Sequence, residues 1–384
     1  MNTPTHSLHR ILALAALVTG HALVAQETKP AAAPAPAARR AQTPPIVSPQ
    51  VNADRTATFR VRAPKATEVS VSGEWPKGNT PMTKGEDGVW SVTVGPLEPD
   101  LYGYSLVIDG FRTIDPANSQ VKPMRSPTTS ILDVPGATPL AHDFQAVPHG
   151  TVRMHTYDSK TLGRKRGLQV YTPPGYDKSS GKYPALYLFH GSGDNEATWV
   201  ALGKAHLIAD NLMAQKNARP MIIVMTDGHA VVGGGGNGAF TDNTQAFEAD
   251  LLKDVMPFVE ANYRVKKGPE NRAIIGLSMG GGQSLTVGLN HLELFSWVGG
   301  MSSAVRNPEQ TVGKALANSK ETNSKLKLFW FACGKDDFLL KNNQDFSALL
   351  TKDGIRHSFV LTEGNHSWPV WRRYLVDFLP KLFN

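Results

Sequence analysis

The sequence predicts an α/β protein built in two parts, a small antiparallel β-sandwich followed by a larger, mainly parallel sheet covered by helices. From Ile46 to about Val134, short segments alternate apolar and polar residues with a period of two, which is typical of antiparallel strands. After His149, continuous apolar runs alternate with segments of helical periodicity, which is typical of a parallel sheet with helices on both faces. A chain of 384 residues has room for two or three domains of this kind.

Composition and charge exclude several classes of function. Hydrophobic residues make up 41% of the chain and charged residues 19%, so wholesale disorder is excluded. The net charge is +7, of which the first 45 residues carry +3, and no long basic run follows, so no nucleic-acid partner is predicted. The single cysteine, Cys333, excludes an internal disulfide and a multi-cysteine zinc site. The histidines are scattered, with neither an H-E-x-x-H motif nor a paired short spacing, so no metal site is predicted. No cofactor is predicted.

The N-terminus has the pattern of a bacterial export signal. A basic start precedes an apolar run from Ile11 to Val18, which is too short to cross a bilayer as a stable helix. Cleavage after Ala22 or Ala25 fits the pattern, with Ala25 preferred, and an uncleaved anchor is the alternative. We therefore expect a signal peptide over 1–25, an Ala/Pro linker over 26–45, and a secreted or periplasmic protein with no transmembrane segment after signal removal.

The β-sandwich is expected to span residues 46–134. Segments rich in Gly, Pro, Asp and Asn separate its strands and predict turns. The alternating segments that predict strands are 58–62, 68–71, 89–94 and 102–108. About ninety residues of short antiparallel strands of this kind favour an immunoglobulin-like sandwich.

A linker over 135–149 is expected to lead to the larger domain, residues 150–384. The apolar runs that predict its buried strands include 185–189, 221–225 and 272–275. Between the second and third of these, a helix is predicted over 243–262. Four apolar residues recur in it at every fourth position, which places them on one face: Phe247, Leu251, Val255 and Val259.

The run from Gly276 to Gly280 fits the pattern G-x-S-x-G, with Ser278 at its centre. A buried strand leads into it and a small-residue helix start leads out, which is the strand–turn–helix context of a nucleophile elbow. This context favours a nucleophilic Ser278 over an ordinary glycine-rich turn, and it makes the larger domain an expected α/β-hydrolase fold.

A serine hydroxyl is a weak nucleophile and needs a base, which in turn needs an orienting acid. In this fold the chain order is serine, acid, histidine. Downstream of Ser278, a buried strand pattern that starts at Lys327 ends in Asp336 and Asp337, and spacing alone does not choose between these two carboxylates. His366 follows the last predicted strand and is the expected base, whereas His357 stands at the start of that strand and is interpreted as a strand-end residue.

Two backbone N–H groups are expected to stabilise the oxyanion, those of Met279 and Ser192. His190, in the same loop as Ser192, is interpreted as a structural residue. The glycine run Gly233–Gly236 lacks the Lys-Ser/Thr of a phosphate-binding loop and is interpreted as a mobile loop near the site.

Several motifs of the larger domain together resemble those of carbohydrate esterase family 1. They are 190–193 with Trp199, 247–251, 276–281, 333–337, and 364–366 with Trp371. That family includes feruloyl and acetylxylan esterases and is related to enterochelin esterases and mycolyltransferases. The resemblance covers roughly 150–384 and implies that Asp337, and not Asp336, is the acid of the triad.

The sandwich resembles family 48 carbohydrate-binding modules. The motifs that carry this resemblance are 73–75, 88–90, 102–104, Asp109-Gly110 and Asp115-Pro116. Its aromatic residues Trp75, Trp90, Tyr102 and Tyr104 could stack on sugars, but their strand positions favour packing within the sandwich or between the domains. We expect the two domains to be docked, with these aromatic residues supplying the shared face, rather than loosely tethered.

The sequence therefore predicts a secreted serine esterase that acts on a polysaccharide or a small aryl ester. The resemblance implies feruloyl esters of xylan as the substrate. Acetylxylan esterase, siderophore esterase and acyltransferase of the same fold are the alternatives, and the oligomeric state is left open. The intact set Ser278, Asp337 and His366 argues against a glycan-binding protein with an inactive esterase domain.

Overall fold

The computed structural model describes residues 45–231 and 239–384. The expected signal peptide, nearly all of the expected 26–45 linker and the Gly233–Gly236 run lie outside those residues and stay predictions. Across the described residues, none of the helices combines the length and the apolar character needed to cross a membrane.

The N-terminal domain is a sandwich of two antiparallel sheets. Its strands are β1 Gln50–Val51, β2 Ala57–Arg62, β3 Val69–Gly73, β4 Asn79–Pro81, β5 Thr83–Lys84, β6 Val89–Val94, β7 Asp100–Ile108, β8 Phe111–Thr113 and β9 Ser130–Val134. One sheet has the order β1-β2-β6-β5 and the other β4-β3-β7-β8, with β9 also paired to β7. All four predicted strands are present, as β2, β3, β6 and β7. No prediction covered β9, or β1, β4, β5 and β8, which have two or three residues each and are too brief to show a period.

Aromatic side chains fill the core of this sandwich. Trp75, Trp90, Tyr102 and Tyr104 are all buried, with exposed fractions of 7% or less. The rings of Trp75 and Tyr104 both pack on Phe59, at centroid distances of 5.6 and 4.7 Å. Because these rings are inside the domain, they neither present a stacking surface for sugars nor supply the face shared with the second domain.

The larger domain has a mixed sheet, and its architecture confirms the expected α/β-hydrolase type. Its strands are β10 Thr151–Ser159, β11 Arg164–Thr172, β12 Ala185–Phe189, β13 Ile222–Thr226, β14 Arg272–Gly276, β15 Trp297–Met301, β16 Leu328–Gly334 and β17 Ser358–Thr362. Their order is β10-β11-β13-β12-β14-β15-β16-β17 within the described residues. The pairs from β13 onward are parallel, but β10, β11 and β13 pair antiparallel. The β10–β11 hairpin was not predicted, since only two of the nine residues of the edge strand β10 are buried and the strand carries no continuous apolar run.

Helices cover both faces of this sheet. Their bounds are α1 Thr198–Ala201, α2 Ala205–Ala214, α3 Ala239–Asp250, α4 Met256–Asn262, α5 Met279–Asn290, α6 Pro308–Thr311, α7 Gly313–Ala317, α8 Ser319–Lys325, α9 Leu340–Lys352 and α10 Trp368–Phe378. Alternate residues of β12 contribute to the two cores that result. Leu186 and Leu188 pack in one core, and Tyr187 and Phe189 pack in the other.

The helix predicted over 243–262 contains a π-helical turn, Leu251–Val255, between α3 and α4. The four predicted core residues of this segment are completely buried: Phe247, Leu251, Val255 and Val259. Four residues of a regular α-helix rotate by about 400°, so a strict four-residue spacing drifts by about 40° at each step. The wider π-helical turn offsets that drift and keeps the four side chains on one face.

The two domains are docked through a mixed apolar and polar contact. Leu101 and Ile131 of the sandwich pack in the same core as residues of α10. The buried guanidinium of Arg372, on α10, donates to Asp100 Oδ1 through Nε at 3.0 Å and Nη2 at 2.5 Å, and to the Leu101 carbonyl oxygen. The expectation of docked domains therefore agrees with the structure, but the expectation that an aromatic face joins them is wrong.

Candidate active site

Ser278 occupies a sharp turn between β14 and α5. Its φ of 53° and ψ of −115° lie outside the regions that L-residues favour, so the surrounding structure must maintain this conformation. The flanking glycines make the turn possible. A Cβ at Gly276 would lie 2.3 Å from the Gly280 carbonyl oxygen, and a Cβ at Gly280 would lie 2.4 Å from the His190 carbonyl oxygen.

Backbone hydrogen bonds fix Ser278 from both sides. Its N–H donates to the Met301 carbonyl oxygen at 2.9 Å, and its carbonyl oxygen accepts from the N–H groups of Gly282 and Ala304, each at 3.0 Å. The half-buried hydroxyl lies 3.0 Å from Nε2 of His366. The structure thus brings the predicted nucleophile and the predicted base within hydrogen-bond distance.

Asp337 completes this arrangement, and Asp336 does not. The Nδ1 atom of His366 lies 3.0 Å from Asp337 Oδ1 and 2.9 Å from Oδ2. The Asp337 side chain is fully buried, whereas Asp336 is exposed. The first residue of the pair turns outward and the second turns inward, a choice that the sequence spacing left open.

The surroundings of Asp337 favour its ionised form. Burial raises the pKa of this carboxyl, but hydrogen bonding and charge interaction with His366, the Ser302 hydroxyl and the Leu339 N–H outweigh burial and place the pKa below its usual value. An ionised acceptor keeps the proton of His366 on Nδ1, so Nε2 presents a lone pair to Ser278. This is the tautomer that a general base needs.

Two aromatic rings contact the imidazole of His366. The Phe338 ring is tilted by 47° to the imidazole at a centroid distance of 4.3 Å, and Trp371 meets it edge-on at 4.9 Å. Trp371 is itself fixed by donation from Nε1 to Ser302 Oγ at 3.1 Å. Phe338 is 76% exposed, an unusual environment for a large apolar side chain. No sequence pattern predicts a role for Phe338, because its exposure depends on the fold.

The predicted oxyanion donors lie on two elements beside Ser278. Met279 begins α5, where the first N–H groups of a helix have no partner within the helix. A Cβ at Gly191 would lie 3.4 Å from Ser278 Cβ, so the loop that contains Ser192 passes directly beside the nucleophile. The roles of the Met279 and Ser192 N–H groups stay predictions.

The two other candidate histidines have structural partners, in agreement with the sequence interpretation. His190 is buried, with Nδ1 2.8 Å from the Gly191 carbonyl oxygen, and its Nε2 accepts from the Gly228 N–H at 2.8 Å. His357 lies 2.8 Å from the Ser347 hydroxyl through Nε2. In the part of the chain that the structure describes, no group of three His, Cys, Asp or Glu side chains could hold a metal ion.

A cavity of about 460 Å³ opens beside Met279. Its walls come from α3, α5 and the segment that ends in α6, and amide, hydroxyl and charged side chains predominate in them. The lining residues are Thr244, Gln245, Glu248, Met279, Gly282, Thr286, Asn290, Ala304, Arg306, Asn307, Gln310 and Thr311. Such a lining offers many hydrogen-bond donors and acceptors to a polar ligand.

Both domains match known family models. Residues 159–382 match the model described as putative esterase, and residues 47–123 match carbohydrate-binding module 48 (isoamylase N-terminal domain). An endo-1,4-beta-xylanase/feruloyl esterase of Xylanibacter ruminicola is 33% identical over 347 residues, which are 87% of this chain and 46% of that protein. The chain spans about half the length of the curated relatives it matches first.

Solved structures show the same architecture. A CE1 ferulic acid esterase of the anaerobic fungus Anaeromyces mucronatus is 25% identical, with a TM-score of 0.56 over 64% of this chain and 96% of that one. The enterobactin esterase FES of Shigella flexneri gives a TM-score of 0.63 over 85% of this chain and 93% of that one. It is 18% identical, so this second likeness shows the fold alone.

Proposed function

The chain belongs to the putative esterase family, and from that premise we propose that it is a serine carboxylic-ester hydrolase. One observation carries the proposal. The imidazole of His366 lies between two partners, with Nε2 3.0 Å from Ser278 Oγ and Nδ1 2.9 Å from Asp337 Oδ2. Few structural roles require a strained serine, a histidine and a buried carboxylate in this order.

In the proposed reaction, Ser278 Oγ attacks the ester carbonyl carbon while His366 Nε2 takes the hydroxyl proton. Asp337 orients the imidazole and stabilises the imidazolium that forms. The carbonyl oxygen becomes an oxyanion, which the N–H groups of Met279 and Ser192 receive. The intermediate then expels the alcohol, which takes the proton from His366 and leaves the acyl group on Ser278. Water attacks this acyl-enzyme by the same sequence, which frees the acid and restores the serine.

Within this class we propose feruloyl esters of xylan as the substrate. The exposed ring of Phe338 beside His366 offers an aromatic acyl group a face to pack on. The polar cavity beside Met279 offers hydrogen bonds to the hydroxyl groups of a sugar. The similar proteins named as a feruloyl esterase and as a ferulic acid esterase support the same assignment. We also propose that the protein is exported, which rests on the apolar run from Ile11 to Val18.

Parallel assays of the purified protein on methyl ferulate, acetylated xylan and enterobactin test the substrate assignment. We expect the highest kcat/KM on methyl ferulate. Faster turnover of acetylated xylan or of enterobactin would replace the feruloyl assignment with the corresponding alternative. Addition of a sugar acceptor during methyl ferulate turnover separates hydrolysis, which releases free ferulate, from acyl transfer, which releases a feruloyl sugar.

A further inference from the structure

Glu74, which directly follows β3 of the sandwich, reaches across the domain boundary to the start of α10. Its Oε1 atom accepts a hydrogen bond from the Trp368 N–H at 3.0 Å. Its Oε2 atom accepts from the Gly103 N–H at 2.6 Å, and the Glu74 N–H donates to the Gly103 carbonyl oxygen at 3.1 Å. The carboxylate is therefore fixed within the sandwich and binds the first residue of a helix in the other domain.

The start of α10 needs such a partner. The first N–H groups of a helix have no acceptor inside it, and a side chain in the N-cap position usually supplies one. Here the N-cap residue is Ser367, whose side chain makes no capping hydrogen bond. The Val370 and Trp371 N–H groups bond to the Ser367 carbonyl oxygen, and Pro369 has no N–H. Glu74 accepts the remaining Trp368 N–H and places a negative charge at the positive end of the helix.

This contact lies next to the base of the triad. His366 precedes Trp368 by two residues, and its ring packs on Trp371 in the first turn of the same helix. We propose that Glu74 is a positioning residue for His366, which makes the carbohydrate-binding-module-like domain a structural part of the esterase site. The proposal rests on the proposed esterase function and adds a role for the N-terminal domain within it.

The segment that follows the sandwich strand β8 also contacts the loop that contains Ser192, the predicted oxyanion donor. Lys122 Nζ forms an ion pair with Asp194 at 2.6 Å and lies 5.6 Å from the ring centroid of Trp368. The Arg125 N–H donates to the Gly193 carbonyl oxygen at 3.0 Å. The segment that carries His366 and the loop that carries Ser192 are thus both bonded to the N-terminal domain.

The surroundings of Glu74 act on the pKa of its carboxyl in two opposite directions. Burial is the largest effect and raises the pKa of this carboxyl above its usual value, although the positive charges of Lys122 and Arg372 and the N–H groups of Trp368 and Gly103 act in the opposite direction. Both oxygens accept from N–H donors, which is the geometry of a carboxylate.

The test compares Glu74→Ala and Glu74→Gln in the full chain, with Glu98→Ala as a matched control. Glu98 belongs to the same domain, and its side chain is 87% exposed. One measurement is the rate at which a fluorophosphonate labels Ser278. A second is hydrogen exchange of residues 364–371, and a third is kcat and KM on methyl ferulate.

Loss of Glu74 should let His366 leave its position, and a displacement of about 1 Å at a reacting group can cost on the order of 100-fold in rate. We expect Glu74→Ala to slow labelling and kcat by about 10- to 100-fold, with KM changed less than about twofold because Glu74 does not contact the substrate. Exchange over 364–371 should become faster. Glu74→Gln should lose less, since its amide oxygen still accepts from Trp368, and Glu98→Ala should match the wild type.

Wild-type labelling rates and unchanged exchange in both Glu74 variants would overturn the proposal. The proposal would also be overturned if the loss of activity were proportional to the loss of melting temperature and if exchange became faster across the whole domain. If the wild-type protein is not labelled at all, the esterase assignment fails. The exchange measurement then still decides whether Glu74 orders residues 364–371.

Discussion

Replacement of Asp337 by Asn tests whether this carboxylate orients His366 for catalysis or only contributes to the fold. The carboxylate accepts from His366 Nδ1 at 2.9 Å and from the Leu339 N–H at 2.8 Å. An amide of the same size can keep its oxygen at the Oδ1 position, where it accepts from Leu339, but its NH₂ group then takes the Oδ2 position and directs a hydrogen at Nδ1. His366 then favours the tautomer with hydrogen on Nε2, which points a proton and not a lone pair at Ser278. We expect a loss of about 10⁴-fold in kcat, which corresponds to about 5.5 kcal/mol of transition-state stabilisation.

The assay is kcat and kcat/KM on methyl ferulate, with melting temperature and circular dichroism as controls for folding. Asp336→Asn is the matched control, since Asp336 is adjacent in sequence but exposed, and we expect its activity to stay within about twofold of wild type. Equal losses for the two variants, or a larger loss for Asp336→Asn, would refute the assignment of the acid.

Three further predictions concern the domain contact, the pH dependence and the substrate. Arg372→Met should destabilise the protein by about 3–5 kcal/mol in urea unfolding, because it leaves buried Asp100 without its cation; a cost below about 1 kcal/mol would contradict the role of this ion pair. Burial lowers the pKa values of His206 and His229 to about 4, so the free energy of unfolding should fall as pH drops from 6.5 towards 4, by about 1–3 kcal/mol for each histidine. Urea unfolding at pH 7 and pH 5 measures this, and equal stability at both values would contradict it. Phe338→Ala should lower kcat/KM on methyl ferulate about tenfold and spare methyl acetate, whereas equal losses on both esters would count against an aromatic acyl contact.

The sequence was sufficient to place those residues of the site that lie in local motifs. Ser278 could be predicted because the strand before it, the helix after it and the two flanking glycines all have local signatures. His366 followed from chain order. Asp337 could not be separated from Asp336 by spacing, because which of two adjacent carboxylates turns inward depends on how the loop packs after β16.

The features that sequence analysis missed depend on residues far apart in the chain. Glu74 and Trp368 are 294 positions apart, and no local pattern connects them. In the β10–β11 hairpin, only two of the nine residues of the edge strand β10 are buried, so its period is weak. The sequence indicated that the aromatic residues of the sandwich are packing residues. It did not show that they pack against each other inside the sandwich and not across the domain contact, because that depends on the fold.

Trapping of the acyl-enzyme tests the central claim most directly. The protein is mixed with excess methyl ferulate, quenched in acid within one turnover and digested, and the peptides are analysed by mass spectrometry. We predict a feruloyl group on the peptide that contains Ser278. The Ser278→Ala variant should show neither this group nor esterase activity. Wild-type turnover by Ser278→Ala, or a feruloyl group on a different residue, would contradict the account.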